Sequence, residues 1–489
     1  MVELPPAERA RVFAEVACGY TLEDALRESD RCLRCPDEPC VRGCPVGIDI
    51  PGFIERIGRK DFRGGYDVLT DTTLLPAVCG RVCPQETQCE GVCTVGESLE
   101  PVAIGRLERW LGDLAIAEGW TSTPYIEHNA FKVGVIGSGP AGMACAADMA
   151  KAGCAVTVFE AFHQAGGVLR YGIPEFRLPN AVVDAEIERV ARLGVTFRCN
   201  TLVGRLFTIE QMIGEMGFDA VFVGAGAGTP TFMGIPGEEL NGVLSANDLL
   251  TRTNLMHARD FPAHDTPLGV GRHVVVVGAG NTAMDAMRVC LRLGVERVTC
   301  VYRRGREEAP ARAEELHHAE QEGVLFEWLT DPVEMLGDAD RRVRALRCRR
   351  MSLGDADRSG RRRPVAVPGS EFDLECDTVV FAIGTNANPI LGRTSGVKLD
   401  ERGYIAVDGS FTTSLDGVFA GGDIVTGAAT VIEAMGAGRG AARAMKAYLG
   451  LRESDSADAA AGGAGVLFGL PAGERNHARV RLAPMGVAR

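Results

Sequence analysis

Cysteines are the residues of this chain whose spacing most directly suggests chemistry. The 489 residues include 16 cysteines, and eight of those near the start form two quartets. The first quartet is Cys32, Cys35, Cys40 and Cys44, and the second is Cys79, Cys83, Cys89 and Cys93. Soft, anionic thiolates stabilise iron–sulfur cores, and four ligands complete one cluster. Two quartets therefore predict two [4Fe–4S] clusters.

The first quartet is a stretched form of the bacterial ferredoxin run, in which the cysteine before proline serves the other cluster. Here that residue is Cys44, which Pro45 follows. The cysteines also allow two interpretations without iron, which are structural zinc and simple buried thiols. Structural zinc usually shows two Cys-x2–4-Cys pairs, and the middle gap of the second quartet fits this poorly. Simple buried thiols are the other alternative. We assign that role to the scattered cysteines, Cys145, Cys154, Cys199, Cys290, Cys300, Cys348 and Cys376.

A first glycine-rich turn contains Gly137, Gly139 and Gly142 and follows the strand-like run 133–136. The spacing Gly-x-Gly-x-x-Gly provides a tight turn, an open path to a pyrophosphate and close packing of the next helix. The N-terminal amides of that helix, predicted over 143–152, suit phosphate. Glu160 ends the next strand-like run, where an acid can bind ribose hydroxyls. We predict a dinucleotide site here, and the alternative is a tight turn without a ligand.

A second such turn contains Gly278, Gly280 and Ala283 and follows the strand-like run 273–277. Alanine is an accepted variant of the third glycine. The next strand-like run, 297–302, ends in Arg303 and Arg304 instead of an acid. Because arginine can pair with a 2′-phosphate, the sequence favours NADP over NAD. The alternative for these arginines is a solvated basic patch.

The predicted secondary structure that positions these residues changes along the chain, from helices alone to alternating strands and helices. Residues 1–120 are rich in cysteine and predict amphipathic helices over 9–17, 21–33, 61–69 and 104–117, with Thr21 or Asp30 as caps. From Phe131 onward, β-branched runs alternate with alanine-rich stretches, the pattern of βαβ units. We predict an α/β protein in which a helical iron–sulfur domain precedes two Rossmann-like domains. The tail, 451–489, is typical of a flexible linker.

Composition restricts the partners. Lys plus Arg number 52 and Asp plus Glu 65, which leaves a net charge of −13, so neither nucleic acid nor an anionic membrane is expected to bind. The sequence lacks a run of about 20 apolar residues and a basic, apolar leader, so we expect a cytoplasmic protein. His317 and His318, near Glu314 and Glu315, are expected on a solvated helix face and not at a metal. The second nucleotide unit contains no Cys-x-x-Cys, which argues against a dithiol relay.

The two turns occur together with two further segments. Gly166 and Gly167 follow Glu160, and GVFAGGD at 417–423 ends in Asp423. This combination resembles the two-dinucleotide-binding flavoprotein reductases. The resemblance implies that the first unit holds FAD, that Asp423 contacts it, and that the second unit is inserted into a split FAD domain. It gives domains at 130–250, 251–375 and 376–450. From turn chemistry alone, Asp423 could be a turn residue or a helix cap.

Three more segments carry a closer resemblance: LPAVCGRVCPQETQCEG at 75–91, PVAIGRLE at 101–108 and YGIP at 171–174. They resemble the glutamate synthase small (β) subunit family over nearly the whole chain up to about residue 450. The resemblance implies two interleaved ligand sets and leaves Cys79 unused; the sets are Cys32, Cys35, Cys40 and Cys93, and Cys44, Cys83, Cys89 and Glu108. From the sequence alone, Glu108 would be an ordinary surface helix residue.

The resemblance implies an NADPH-dependent oxidoreductase that passes electrons through FAD and two [4Fe–4S] clusters to a larger subunit making L-glutamate. The chain also resembles the large subunit of NADH-dependent ferredoxin:NADP oxidoreductases and sulfide dehydrogenases, so ferredoxin or another redox subunit is the alternative partner. Flavin converts a two-electron hydride into single electrons. A non-catalytic electron scaffold with a decayed nucleotide site is a third hypothesis, which the intact Gly278, Gly280, Arg303 and Arg304 disfavour.

Overall fold

The computed structural model describes residues 1–120, 126–357 and 360–451. Part of the connection predicted at 118–129, and all of the predicted tail after Leu451, lie outside the described residues. The described α-helices are α1 Pro6–Arg9, α2 Leu22–Ser29, α3 Pro39–Gly43, α4 Ile50–Gly58, α5 Phe62–Thr72, α6 Pro76–Val82, α7 Ile104–Ala117, α8 Pro140–Lys151, α9 Val168–Tyr171, α10 Asn180–Ala191, α11 Ile209–Gly214, α12 Ala246–Leu250, α13 Asn281–Arg292, α14 Ala313–Glu322, α15 Ile390–Thr394, α16 Asp423–Thr426 and α17 Val431–Tyr448.

Strands occur only after residue 131 in the described residues, as the change of sequence pattern predicts. The strands are β1 Lys132–Ile136, β2 Ala155–Phe159, β3 Thr196–Arg198, β4 Ala220–Val223, β5 Thr229–Pro230, β6 Val243–Ser245, β7 His273–Val277, β8 Arg297–Tyr302, β9 Leu325–Trp328, β10 Thr330–Gly337, β11 Val343–Ala356, β12 Arg362–Ala366, β13 Phe372–Glu375, β14 Thr378–Phe381, β15 Thr385–Asn386 and β16 Val418–Ala420.

The N-terminal region is helical, and side chains fix where its helices begin. Thr21 starts α2 with a capping box, since its hydroxyl accepts from the Asp24 N–H while the Asp24 carboxylate accepts from the Thr21 N–H. Asp61 starts α5 by accepting from the Gly64 N–H at 3.1 Å. This cap helps the helix form although two adjacent glycines, Gly64 and Gly65, lower its helix propensity.

The helix predicted over 9–17 is wrong. Helix α1 ends at Arg9, and the segment after it is irregular, with the Leu4 N–H bonding the Val16 carbonyl at 3.0 Å and the Cys18 N–H bonding the Val2 carbonyl at 2.9 Å. Arg9 is buried because its guanidinium pairs with Glu3 and Glu322. These contacts involve residues far apart in sequence, and they override the local helical pattern.

The first sheet is parallel and has the order β16–β4–β1–β2–β3. The chain therefore leaves this sheet after β4 and returns to it only at β16. Helices α8 and α17 pack against each other beside it. This return confirms that one dinucleotide-binding unit interrupts the other.

The second sheet is also parallel, with the order β6–β14–β7–β8–β9. Its edge strand β6 lies before the predicted limit of 251, and β14 lies after the predicted limit of 375. The unit that builds this sheet is therefore longer at both ends than the sequence suggested. The pairing of β6 with β14 brings together segments that no local pattern could connect.

None of the helices in the described part of the chain has the length and apolar composition that crossing a lipid bilayer requires.

Candidate functional site

A first small cavity lies inside the N-terminal helical region. Four cysteines line it: Cys32, Cys35, Cys40 and Cys93. We call this the outer cavity, because the neighbouring Leu33, which also lines it, is 64% exposed. Burial raises the pKa of Cys40 to about 11, so bound metal would be needed to keep this thiol ionised at neutral pH.

A second small cavity is lined by Cys44, Cys83, Cys89 and Glu108, together with Gln85 and Ile432. We call it the inner cavity. Glu108 is 6% exposed, its Oε1 has no hydrogen-bond partner among the described residues, and burial raises its pKa to about 8. A buried carboxylate in that condition is costly unless it binds a cation. Three thiols and one carboxylate therefore fit an iron–sulfur cluster.

The two cavities divide the predicted metal ligands into the two groups that the family resemblance implies. Cys79 is fully buried and is not among the described residues that line either cavity, although it lies close enough to Cys83 to raise the pKa of that thiol. The grouping was not evident from the order of cysteines along the chain. The assignment of these residues as ligands stays a prediction.

The cavities are neighbours, because Ile50 and Ile104 line both. The outer cavity is lined by residues before 105, whereas the inner cavity also contacts Ile432 of α17. Helix α17 packs on α8, the helix that follows the first glycine-rich turn. The inner cavity therefore lies between the outer cavity and the first dinucleotide-binding unit.

The first glycine-rich turn has open space where a ligand would pass. A Cβ placed on Gly142 would lie 1.9 Å from the carbonyl oxygen of Gly137, so close packing requires glycine there. A Cβ placed on Gly139 would meet nothing within 4 Å among the described residues, although Gly139 lies beside Gly167. Gly166 completes the same corner by donating its N–H to the Ser138 hydroxyl at 2.9 Å. This geometry fits a pyrophosphate.

Glu160 is buried beside that turn. One of its oxygens accepts from the Ser138 N–H at 3.1 Å and from the Ser138 hydroxyl at 2.5 Å, and the other accepts from the Phe162 N–H at 2.9 Å. The oxygen that accepts only from Phe162 keeps an acceptor site for a ribose hydroxyl, which stays a prediction. Ser138 was not predicted as a site residue, since its position between the first two glycines was its only signal in the sequence.

Asp423 lies where β16 ends, next to Ala141 of α8 through Gly422. Its Oδ1 is buried without a hydrogen-bond partner among the described residues, and burial raises the pKa of its carboxyl to about 6. Burial, with the negative charges of Asp423 and Glu160, raises the pKa of Tyr171 to about 12. The side chain of Asp423 caps no described helix, so its free oxygen fits a polar ligand better than the helix-cap alternative.

The second glycine-rich turn has the same construction. Gly278 has a φ of +126°, and a Cβ there would lie 2.4 Å from the Ala382 carbonyl oxygen. A Cβ placed on Gly280 would meet Pro310 at 3.9 Å and no other described residue within 4 Å, and Ala283 is fully buried. The turn therefore has room for a phosphate at Gly280.

The two arginines after β8 differ in their surroundings. Arg303 is exposed, whereas Arg304 is buried and donates to the Arg362 carbonyl at 2.9 Å and to Asp357 at 2.6 Å. Arg304 therefore holds the hairpin of β11 and β12 against the sheet. Of the pair, Arg303 is the one whose guanidinium is open to a ligand from solvent.

The prediction that His317 and His318 lie on a solvated face is wrong for His318. Its ring is 3% exposed, and its Nε2 lies 3.1 Å from Glu3, because the N-terminal segment covers α14. Ligand atoms of Glu3, Glu314 and His318 lie within 4.8 Å of one another. Arg9 and Arg106 pair with the two carboxylates, so this group is balanced without a metal.

Comparisons with known proteins match both halves of the chain. Residues 9–120 match the family described as dihydropyrimidine dehydrogenase domain II, 4Fe-4S cluster, and residues 131–438 match pyridine nucleotide-disulphide oxidoreductase. The Mycobacterium tuberculosis protein FprA, solved in complex with NADPH, shares the fold with a TM-score of 0.56 at 21% identity over 66% of this chain and 85% of FprA.

Two curated relatives are considerably closer in sequence. The glutamate synthase [NADPH] small chain of Halomonas elongata is 37% identical over 454 residues, which are 91% of this chain and 95% of that one. The NADP(+)-dependent formate dehydrogenase subunit beta of Moorella thermoacetica is 39% identical over 437 residues, 84% of this chain and 60% of that subunit. The chain therefore belongs to the pyridine nucleotide-disulphide oxidoreductases with an N-terminal 4Fe-4S domain, in the family of the glutamate synthase small chains.

Proposed function

We propose that this oxidoreductase takes electrons from NADPH at a bound FAD and passes them through two [4Fe–4S] clusters to a partner protein. The observation that carries the proposal is the order of the cavities. The inner cavity contacts α17 of the first dinucleotide-binding unit, the outer cavity is enclosed by N-terminal residues, and Ile50 and Ile104 separate the two. Electrons would enter at the inner cavity and leave from the outer one.

FAD would bind at the first glycine-rich turn. Gly137, Gly139 and Gly142 leave room for its pyrophosphate, and Glu160 would accept from ribose hydroxyls. Asp423, whose Oδ1 has no partner among the described residues, would accept a hydrogen bond from the flavin side chain. FAD supplies the conversion of one hydride into two single-electron transfers. The residues of this chain hold it in place and keep its surroundings dry.

NADPH would bind at the second turn, with Gly280 leaving room for its phosphates and Arg303 pairing with the 2′-phosphate. The guanidinium of Arg304 already has protein partners. We therefore assign the discrimination between NADPH and NADH mainly to Arg303. Arg304 would place Arg303 by fixing the end of β8.

The partner we favour is a larger subunit that uses the electrons for glutamate synthesis, because the Halomonas relative matches this chain over nearly its whole length. The second candidate is ferredoxin or another redox subunit, because the Moorella relative is a subunit of a different NADP(+)-dependent enzyme. We place the protein in the cytoplasm, where its many thiols would stay reduced. Mild co-purification from the native host distinguishes the partners by size and by activity.

Anaerobic mixing with NADPH tests the catalytic proposal. We expect the flavin absorbance to bleach first and the iron–sulfur signals in electron paramagnetic resonance to appear afterwards, whereas NADH reduces the flavin at least about tenfold more slowly. If dithionite reduces the clusters while NADPH leaves the flavin oxidised, the chain is an electron scaffold and the proposal is wrong.

A further inference from the structure

Arg312 lies between the second glycine-rich turn and the inner cavity. Its backbone N–H donates to the side-chain oxygen of Asn281 at 2.9 Å, at the start of α13. The preceding N–H, of Ala311, donates to the Ala279 carbonyl at 3.2 Å. The backbone of Arg312 therefore belongs to the nucleotide turn.

The side chain of Arg312 reaches in the opposite direction, into the N-terminal helical region. It is 8% exposed and donates to the Arg81 carbonyl at 2.8 Å and to Gln85 Oε1 at 2.9 Å. Arg81 and Gln85 lie two residues on either side of Cys83. One guanidinium thus holds the chain on both sides of a predicted cluster ligand.

Gln85 is the other residue in this connection, and it lines the inner cavity itself. Because its Oε1 accepts from Arg312, its Nε2 is directed toward the Gly80 carbonyl at 3.2 Å. A Cβ placed on Gly105 would lie 2.3 Å from that Nε2, so α7, which carries Glu108, packs tightly on Gln85. Arg312 therefore orients a dipole that touches the ligand-bearing elements.

Charges and hydrogen bonds around a cluster are what set its potential. The guanidinium is buried, so water screens it weakly. Two carboxylates face it, Glu86 at 3.6 Å from its Nε and Glu314 at 3.3 Å from its Nη2. Glu314 contacts the same Nη2 that donates to Gln85, so the two carboxylates offset the charge in part, and the oriented amide of Gln85 carries the rest of the effect to the cavity wall.

We propose that Arg312 and Gln85 are positioning residues that raise the redox potential of the cluster in the inner cavity and connect that cluster to the nucleotide turn. A positive group and an oriented amide favour the more negative, reduced cluster. The proposal rests on the proposed function only in assuming that the inner cavity holds a cluster. No titration of a ligand is involved.

Dithionite titration of the purified, cluster-loaded protein under electron paramagnetic resonance provides the test. Arg312→Gln should lower the ratio of reduced to oxidised cluster, at a fixed potential, about three- to tenfold for one cluster and leave the other unchanged. Gln85→Leu should shift the same cluster by less. The signal that changes in Glu108→Ala identifies the inner cluster, and Arg272→Gln, at an exposed arginine paired with Glu296, is the control.

Equal shifts of both clusters, or unchanged potentials in Arg312→Gln and Gln85→Leu with full iron content, overturn the proposal. If Arg312→Gln loses iron, Gln85→Leu decides, and an unchanged potential in that variant with full iron content overturns the proposal. Dithionite bypasses the nucleotide, so this result is independent of whether NADPH reduces the flavin. A failed NADPH reaction with a shifted inner cluster would therefore refute the proposed function and leave this inference standing.

Discussion

Glu108 and Cys89 line the same cavity, and the carboxylate of Glu108 keeps one oxygen, Oε1, without a hydrogen-bond partner among the described residues. They come from different elements, since Cys89 precedes a short turn and Glu108 lies in the first half of α7. A carboxyl group in such a place is either kept protonated by burial, which raises its pKa to about 8, or is ionised beside something positive that binds it. Glu108 and Cys79 differ in this respect, because Cys79 is also buried but is not among the described residues that line the cavity.

The first prediction compares these two residues. We expect Glu108→Ala to alter the spectrum or the iron occupancy of one cluster only, because it removes one donor from the inner cavity. Cys79→Ala should leave iron content and both spectra unchanged. Iron analysis and electron paramagnetic resonance measure both variants. Loss of a cluster in Cys79→Ala with none in Glu108→Ala would reverse the assignment.

The second prediction concerns the choice of nucleotide. Arg303→Gln should raise the KM for NADPH at least about tenfold and leave the KM for NADH nearly unchanged, because a charge-assisted hydrogen bond contributes about 1.5–3 kcal/mol. Arg304→Gln should instead lower stability, since its guanidinium bonds Asp357 and the Arg362 carbonyl. Steady-state flavin reduction with both nucleotides distinguishes the two. Equal losses with NADPH and NADH in Arg303→Gln would contradict the assignment.

The sequence predicted the strands on either side of the two glycine-rich turns well, because short β-branched runs between turn residues define them locally, whereas β3, β4, β6, β9 and β14 were not predicted. Strands β2, β7 and β8 begin and end where the sequence indicated. The limits 250 and 375 were misplaced, since β6 and β14 belong together only through pairing across the sheet.

The errors near the N-terminus have a common cause. The amphipathic pattern over 9–17 and the polar pattern around His318 each predict a face exposed to solvent. In the structure the N-terminal segment and α14 cover each other, since Glu3 bonds His318 and Arg9 bonds Glu322. A sequence pattern does not distinguish charged residues that are buried in ion pairs from charged residues that are exposed to solvent. For the same reason the sequence alone predicted Glu108 as a surface residue, because its burial depends on residues far from α7.

The third prediction concerns the place where electrons leave. Two exposed apolar side chains lie at the outer cavity: Leu33 lines it and is 64% exposed, and Leu99, 70% exposed, donates its N–H to the carbonyl of Val95, which lines it. Leu33→Glu and Leu99→Glu should weaken transfer to the partner about tenfold, since apolar contacts at an interface centre carry much of the affinity. Reduction of a small dye should not change.

A matched control for this surface is Leu206→Glu, at a side chain that is 65% exposed in the first dinucleotide-binding unit. It should leave partner-dependent transfer unchanged. Pull-down with the native partner, followed by anaerobic transfer kinetics, measures all three variants. An effect of Leu206→Glu equal to that of Leu33→Glu would exclude the outer cavity as the exit.

The fourth prediction is a pH dependence of the flavin-free protein. Burial raises the pKa of Asp423 to about 6 from 3.8, so the folded state binds its proton more tightly than the unfolded chain does. This residue's contribution to stability is full at low pH and is lost as pH rises from about 4 to 6, by about 3 kcal/mol in total. The amide introduced by Asp423→Asn does not titrate, so this variant should flatten that part of the pH profile.

Denaturant unfolding of flavin-free wild type and Asp423→Asn at about pH 4.5 and about pH 7.5 measures the effect. The advantage of the variant should grow by about 2 kcal/mol between the two pH values. Flavin binding should weaken in the variant, because the amide offers one acceptor oxygen in place of a carboxylate. Parallel pH profiles would show that Asp423 does not titrate in this range.

The last prediction concerns the buried ion pairs of Glu322, which join α13 to α14 in the second dinucleotide-binding unit and also reach Arg9 of the N-terminal segment. Glu322 pairs with Arg288 at 2.8 Å and with Arg292 at 2.7 Å, and all three side chains are fully buried. Removing one partner leaves buried charge uncompensated, so Glu322→Gln should cost about 3–5 kcal/mol. Glu296→Gln, which breaks an exposed pair with Arg272, should cost less than about 1 kcal/mol. Guanidinium unfolding monitored by circular dichroism compares the two, and equal losses would mean that the buried pairs of Glu322 stabilise the fold no more than an exposed pair does.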